Sequence, residues 1–272
     1  MRRSLTVLAA SLVAAGTVTA QEAKTPPHAT DSLPSIVRRR EGAPPPAERK
    51  TSNARLELSD SEFNFGYTPQ KTKISHVYWI RNAGPDTAHI SDVRPGCGCT
   101  KAPLKKKVLA PGDSTDVEVI FSTGMYSSQT RKSATIVSDV AGNVPSISFN
   151  AYPTPRIDSL APVTFIPSLV DLDSVTQTGG GGIEVKVRNT SAEPVSLALV
   201  SAPHEWFTIQ LPGGPIAPGG EETIRVEYAG AIAGEIVSKS FTVQVSDTAS
   251  TRFTIPIQKQ KRWGPTPTSS AN

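Results

Sequence analysis

Apolar and polar residues alternate along most of the chain between Arg55 and Lys259, in short runs separated by Pro, Gly, Asn and Asp. "VEVIF" at 117–121, "ATIVS" at 134–138, "IEVKVRN" at 183–189 and "FTVQVS" at 241–246 all follow a period of two, the signature of half-buried strands. No stretch shows the three-and-four spacing of an amphipathic helix. The pattern also repeats. "WIRNAG" at 79–84 matches "KVRNTS" at 186–191, and "LAPGDSTDVEVIF" at 109–121 matches "IAPGGEETIRVEY" at 216–228. The offset is 107 residues both from Asn82 to Asn189 and from Pro111 to Pro218.

Two homologous units follow, at 55–155 and 160–260. About 100 residues of short alternating strands and frequent turns predict an all-β, immunoglobulin-like sandwich for each. Aligning the copies picks out the buried face: Tyr78 and Ile80 with Val185 and Val187, Val117, Val119 and Phe121 with Ile224, Val226 and Tyr228, Ala134 and Ile136 with Phe241 and Val243. Leu109 and Ile216 are expected to enter the core just before Ala-Pro-Gly, where proline fixes φ and glycine permits the reversal.

The flanks read differently. Arg2 and Arg3, an apolar stretch from Leu5 to Ala15 and Val18-Thr19-Ala20 form an export signal at 1–20. Gln21 stands where a lipid anchor would require cysteine, and no later run approaches the roughly 20 apolar residues of a membrane helix. Residues 21–54 and 261–272, rich in Pro, Ala and charge, read as a disordered spacer and tail. The expected location is the periplasm or the exterior. The leader's two arginines account for half of the formal charge of +4, so charge alone makes no nucleic-acid binder.

Candidate chemistry is sparse. No Gly-x-Ser-x-Gly elbow occurs, and the four histidines, His28, His76, His89 and His204, are dispersed. His76 shares a strand face with Tyr78 and Ile80; His89 is expected to point outward. Asp171 and Asp173 sit two apart on one expected strand face, the solvated side. The glycines at 179–182 lack a following lysine and helix, so they read as a hairpin connection. Asn189-Thr190-Ser191 fits a glycosylation sequon, but Asn189 occupies the place of Asn82, a turn asparagine.

Cys97 and Cys99, the only cysteines, stand one glycine apart. In an oxidising compartment they are expected to form a disulfide with each other. Two thiolates on one loop could instead hold Cu(I), with His89, His76 or Met125 as further ligands, or act in thiol redox chemistry. A structural zinc site would need four ligands, and only two are visible.

"FNFGYTPQ" at 63–70, "IRNAGPDTAHISDVRPGCGCT" at 80–100 and "LAPGDSTDVEVIF" at 109–121 resemble the bacterial domain-of-unknown-function family DUF1573, secreted immunoglobulin-like modules related to Hydin- and ASH-type sandwiches. The Gly-Cys-Gly-Cys-Thr signature carries the match. The resemblance implies a fold and an envelope location and brings no established activity. The second copy departs from it, since Cys97 and Cys99 fall on His204 and Trp206 of "SAPHEWF". The expected function is therefore a non-enzymatic interaction or structural module of the cell envelope, with a protein partner and no cofactor. Its rivals are a Cu(I) or thiol-redox protein acting through Cys97 and Cys99, and a carbohydrate-binding or enzyme-accessory module with Trp79 or Trp206 as an aromatic platform.

Overall fold

The computed structural model describes residues 52–142, 145–173, 182–228 and 236–259. The expected export signal at 1–20, residues 21–51 of the expected spacer, Gly179 to Gly181 and the expected tail at 261–272 lie outside the described residues. The last residues of the expected spacer are part of the fold: the Ser52 N–H donates to the Asp139 carbonyl at 3.0 Å, and Ala54 is buried.

The strands are, in chain order, β1 (Leu56–Leu58), β2 (Glu62–Pro69), β3 (Lys73–Asn82), β4 (Ala88–Pro95), β5 (Thr100–Lys101), β6 (Val108–Leu109), β7 (Ser114–Ser122), β8 (Thr130–Ser138) and β9 (Ser146–Thr154). A single 3-10 turn at Ile157–Ser159 leads to β10 (Val163–Ile166), β11 (Val170–Asp171), β12 (Gly182–Asn189), β13 (Leu197–Ser201), β14 (Phe207–Gln210), β15 (Glu221–Tyr228), β16 (Val237–Val245) and β17 (Arg252–Lys259).

Two hydrophobic cores result. One lies between the four-stranded sheet β1-β3-β7-β5 and one half of a nine-stranded sheet; the other lies between β10-β12-β15-β14 and the other half. The repeat-derived positions line them, from Tyr78, Ile80, Val117, Val119 and Phe121 in the first core to Val185, Val187, Ile224 and Val226 in the second. Leu109 and Ile216 are both buried, whereas Tyr228 only packs against the rim of its core. Burial on this scale, at about 25 cal/mol per Å² of apolar surface, is what drives the two sheets of each sandwich together.

The large sheet runs through both sandwiches in the order β13-β16-β17-β2-β9-β8-β4-β6, with β11 also on β17. β17 joins β2 in parallel, with Phe253 opposite Tyr67. Gly66 makes the junction possible: its φ is +64°, and a Cβ there would lie 2.1 Å from the Arg252 carbonyl oxygen. The seam carries further bonds. Thr254 Oγ1 donates to the Phe65 carbonyl at 2.6 Å and Gln258 Nε2 to the Lys73 carbonyl at 3.1 Å. The Ser240 hydroxyl accepts from the Ser75 N–H and donates to the Ser75 carbonyl, both at 2.9 Å.

One strand expectation is corrected. Asp171 and Asp173 do not share a strand face, because β11 ends at Asp171 and the Asp173 N–H bonds back to Asp171 Oδ1 at 3.0 Å. The pair builds an Asx turn, which aspartate favours because its side chain imitates a backbone acceptor.

Candidate functional site

β4 delivers the chain to Cys97 and β5 carries it away from Cys99. The Gly96 N–H bonds the Ser133 carbonyl at 2.8 Å, the Thr100 N–H bonds the Cys97 carbonyl at 3.3 Å, and the Ser122 N–H bonds the Cys99 carbonyl at 2.8 Å. This turn brings the Cα atoms to 5.2 Å and the two sulfur atoms to bonding distance, 1.95 Å. Thr100, whose Oγ1 lies 3.4 Å from Cys97 Sγ, is buried against the first core, while Gly98 faces solvent with room for a Cβ.

The other residues considered as metal ligands are placed apart from one another. His89 lies at the start of β4, exposed, with the rest of that strand between it and Cys97. His76 is committed elsewhere: its ring stacks on Phe63 at 3.6 Å and shares a 2.8 Å hydrogen bond through Nδ1 with Ser201 Oγ. Burial is the main cause that lowers its pKa to about 4, so the ring is neutral at pH 7. Met125, exposed, follows β7 on the side where Ser122 meets Cys99. Among the described residues no three His, Cys, Asp or Glu side chains are grouped as a metal site would need.

The chain beyond β5 forms one wall of a cleft of about 530 Å³ between the sandwiches. Glu118 N–H donates to the Pro103 carbonyl at 3.3 Å, and Leu104 bridges to Val117, fixing Pro103 to Lys105 along β7. The floor is the outer face of β3 and β7, with Val77, Trp79, Asp116 and Glu118; the far wall is Val200 to Trp206 with Lys239. Trp79 is 52% exposed, and Trp206 packs against the second core with the Lys239 ammonium 5.1 Å from its ring centre.

Ion pairs tie this floor to both walls. Lys239 pairs with Glu118 at 2.6 Å, largely shielded from water. Lys105 lies between two carboxylates, Glu205 at 2.9 Å and Asp116 at 3.0 Å, and these two bonds raise its pKa. Of the residues singled out from sequence, the fold brings Trp79, Trp206, His76 and His204 to this one cleft, along with Lys105 from the "KKK" run. Val77, Asp116, Glu118 and Lys239 escaped notice because each reads as the outward position of an alternating strand. The apolar Val77 beside an exposed tryptophan on that face was the available signal.

The family model "Protein of unknown function (DUF1573)" matches residues 56–152, the span of the first sandwich that holds the cysteines. No curated protein matches the chain. Among solved structures, the chain is similar to a protein of unknown function from Porphyromonas gingivalis W83, at 13% identity and a TM-score of 0.31, covering 76% of this chain and 99% of that one. It is similar to the ASH/PapD-like domain 7 of human CEP192, at 11% identity and a TM-score of 0.31, over 47% of this chain and 97% of that one. A third is the E. coli chaperone DraB, at 10% identity and a TM-score of 0.30, over 75% of this chain and 97% of that one. Among the described residues no helix is long and apolar enough to cross a membrane.

Proposed function

We propose that the chain is a non-enzymatic interaction module, exported by its 1–20 leader to the periplasm or the exterior, that binds a protein partner in the cleft between its sandwiches. The observation that carries this reading is the cleft itself, whose floor joins Val77 and the half-exposed Trp79 to paired charges, set between two sandwiches that share one sheet. A concave apolar surface with a few placed charges is the usual form of a binding site. The units at 55–155 and 160–260 are read as copies of one ancestral domain, supported by the constant offset of their motifs. The Cys97 to Cys99 bond serves as a staple at the start of the cleft wall, in keeping with an oxidising compartment. The Cu(I) reading loses support from the placement of His89 and His76. A sugar-stacking platform loses support because Lys239 already lies over the Trp206 ring.

Affinity capture from envelope extract tests the reading, with wild type and a Trp79→Ala, Trp206→Ala variant as parallel baits. A partner retained by wild type and lost by the folded variant sustains it. Identical partner sets refute the cleft as the binding surface.

A further inference from the structure

β1 covers the edge of β3 only from Ile80 to Asn82; before that, the edge is capped through serines at two positions and open at one between them. On β7 the even-numbered residues bond away from β3: Glu118 N–H goes to the Pro103 carbonyl and Ser122 N–H to the Cys99 carbonyl, with Ile120 opposite Lys101. In an antiparallel pair, bonded and non-bonded pairs alternate. Ser75, Val77 and Trp79, opposite Ile120, Glu118 and Asp116, therefore aim their backbone groups away from β7. Trp79 finds Ser59, whose N–H reaches its carbonyl at 2.9 Å and whose Oγ accepts from its N–H at 3.2 Å. Ser75 finds the Ser240 hydroxyl. The N–H and carbonyl of Val77 bond to none of the described residues, and Val77 lines the cleft.

We infer that the cleft takes an extended, positively charged polypeptide segment that pairs with the Val77 backbone as a one-residue β-bridge. This deepens the reading above and rests on it. An unpaired donor and acceptor on a strand edge are the template for main-chain pairing, and flanking pockets then select side chains. Trp79 and Trp206 supply apolar contact on the floor and far wall. The charge follows from the rim: Asp116, Glu118 and Glu205 outnumber Lys105 and Lys239 by one, and a single ammonium is shared between Asp116 and Glu205. A lysine or arginine of the incoming segment relieves that excess, and an acidic one adds to it. The serine caps at Ser75 and Trp79 restrict pairing to one residue, so the segment is held by its side chains beyond the bridge.

The probe is a phage-displayed library of short random peptides, panned on the full chain with the Trp79→Ala variant used to discard unrelated binders. Expected are peptides that join Lys or Arg to apolar residues, weaken with salt, and slow hydrogen exchange at the Val77 amide when added as synthetic peptide. Methylating the one peptide nitrogen that pairs with Val77 lowers affinity by up to about tenfold, the worth of one hydrogen bond. Glu205→Gln, an exposed change, weakens the basic peptides. No Trp79-dependent binder, a preference for acidic peptides, or a bound peptide that leaves Val77 exchange unchanged overturns the inference. If a captured envelope partner still depends on Trp79 in that event, the cleft remains a binding site for a folded surface. If neither peptide nor partner depends on Trp79, both fall.

Discussion

Asn82 and Asn189 share three side-chain hydrogen bonds at matching places in the two sandwiches. Each is fully buried, and each Nδ2 donates to two carbonyls, Asp86 at 2.7 Å and Leu109 at 2.9 Å for Asn82, Glu193 at 2.7 Å and Ile216 at 2.9 Å for Asn189. Each Oδ1 accepts from the N–H two residues on, Gly84 or Ser191. The asparagine thereby ties a strand end to the residue before Ala-Pro-Gly. Alanine at either position removes both amide donors and the acceptor of the turn N–H from a fully buried site and leaves a cavity there, and each substitution is expected to cost about 3 kcal/mol in chemical denaturation. Aspartate, which brings an acceptor to those carbonyls, is expected to cost more.

Val119→Asp and Val226→Asp each place an unpaired carboxylate in a core and are expected to cost about 4 kcal/mol or more. Ile120→Asp, facing Lys101 across the strands, and Arg225→Asp, on the exposed face, stay within about 1 kcal/mol. Circular dichroism melts of the four variants separate the two faces; equal losses would contradict the observed register.

Gly66→Ala forces a Cβ against the Arg252 carbonyl in a left-handed backbone, at an expected cost of about 3 kcal/mol. The strain falls on the β2–β17 junction, so calorimetry should show one transition for wild type and two for the variant. Gly98→Ala, with open space around it, leaves the melt unchanged.

His76 makes stability depend on pH. Its folded pKa of about 4, lowered mainly by burial and also by Arg252 against an opposing pull from Asp60, lies below the unfolded value of 6.5. The unfolded chain thus takes up the proton first. Stability from the neutral ring is complete above pH 6.5 and declines as pH falls toward 4, by about 3 kcal/mol in all. Urea titrations across that window should show the decline in wild type and a flatter profile in His76→Gln.

The Cys97 to Cys99 bond closes a loop too short to restrict the unfolded chain much, and the Cys97→Ser, Cys99→Ser variant is expected to lose about 1.5 kcal/mol or less. Acid-trapped alkylation and mass spectrometry of the freshly isolated protein check the bond itself; two alkylated thiols would refute it.

The core was legible in sequence because burial on one face of a strand forces a period of two, and two aligned copies cancel accidental matches. Tyr78 with Val185 and Val119 with Val226 needed nothing more. The role of Asn82 was half visible: its repetition at Asn189 marked it, but a turn asparagine and a buried one look alike in a string of letters. The junction of β17 with β2 left no trace, since one parallel contact between Phe253 and Tyr67 imposes no periodicity. Gly66 carried its mark only as one letter of "FNFGYTPQ". The cleft was hidden for a similar reason. Val77, Trp79, Asp116 and Glu118 occupy outward positions of the first sandwich, and only the second sandwich turns that outer face into a floor.

The partnership of β2 and β17 also sets an order of events in folding. Thr254 and Phe65 are 189 residues apart, so the bond between them waits for nearly the whole chain, whereas the first core draws only on residues before Tyr152 and on Val200 at its rim. Until Arg252 to Lys259 arrive, a growing chain carries an uncovered strand edge on β2, the kind of edge through which proteins aggregate or exchange strands. The final strand is thus the closing piece for both sandwiches, and a chain cut short before it would offer β2 to its neighbours.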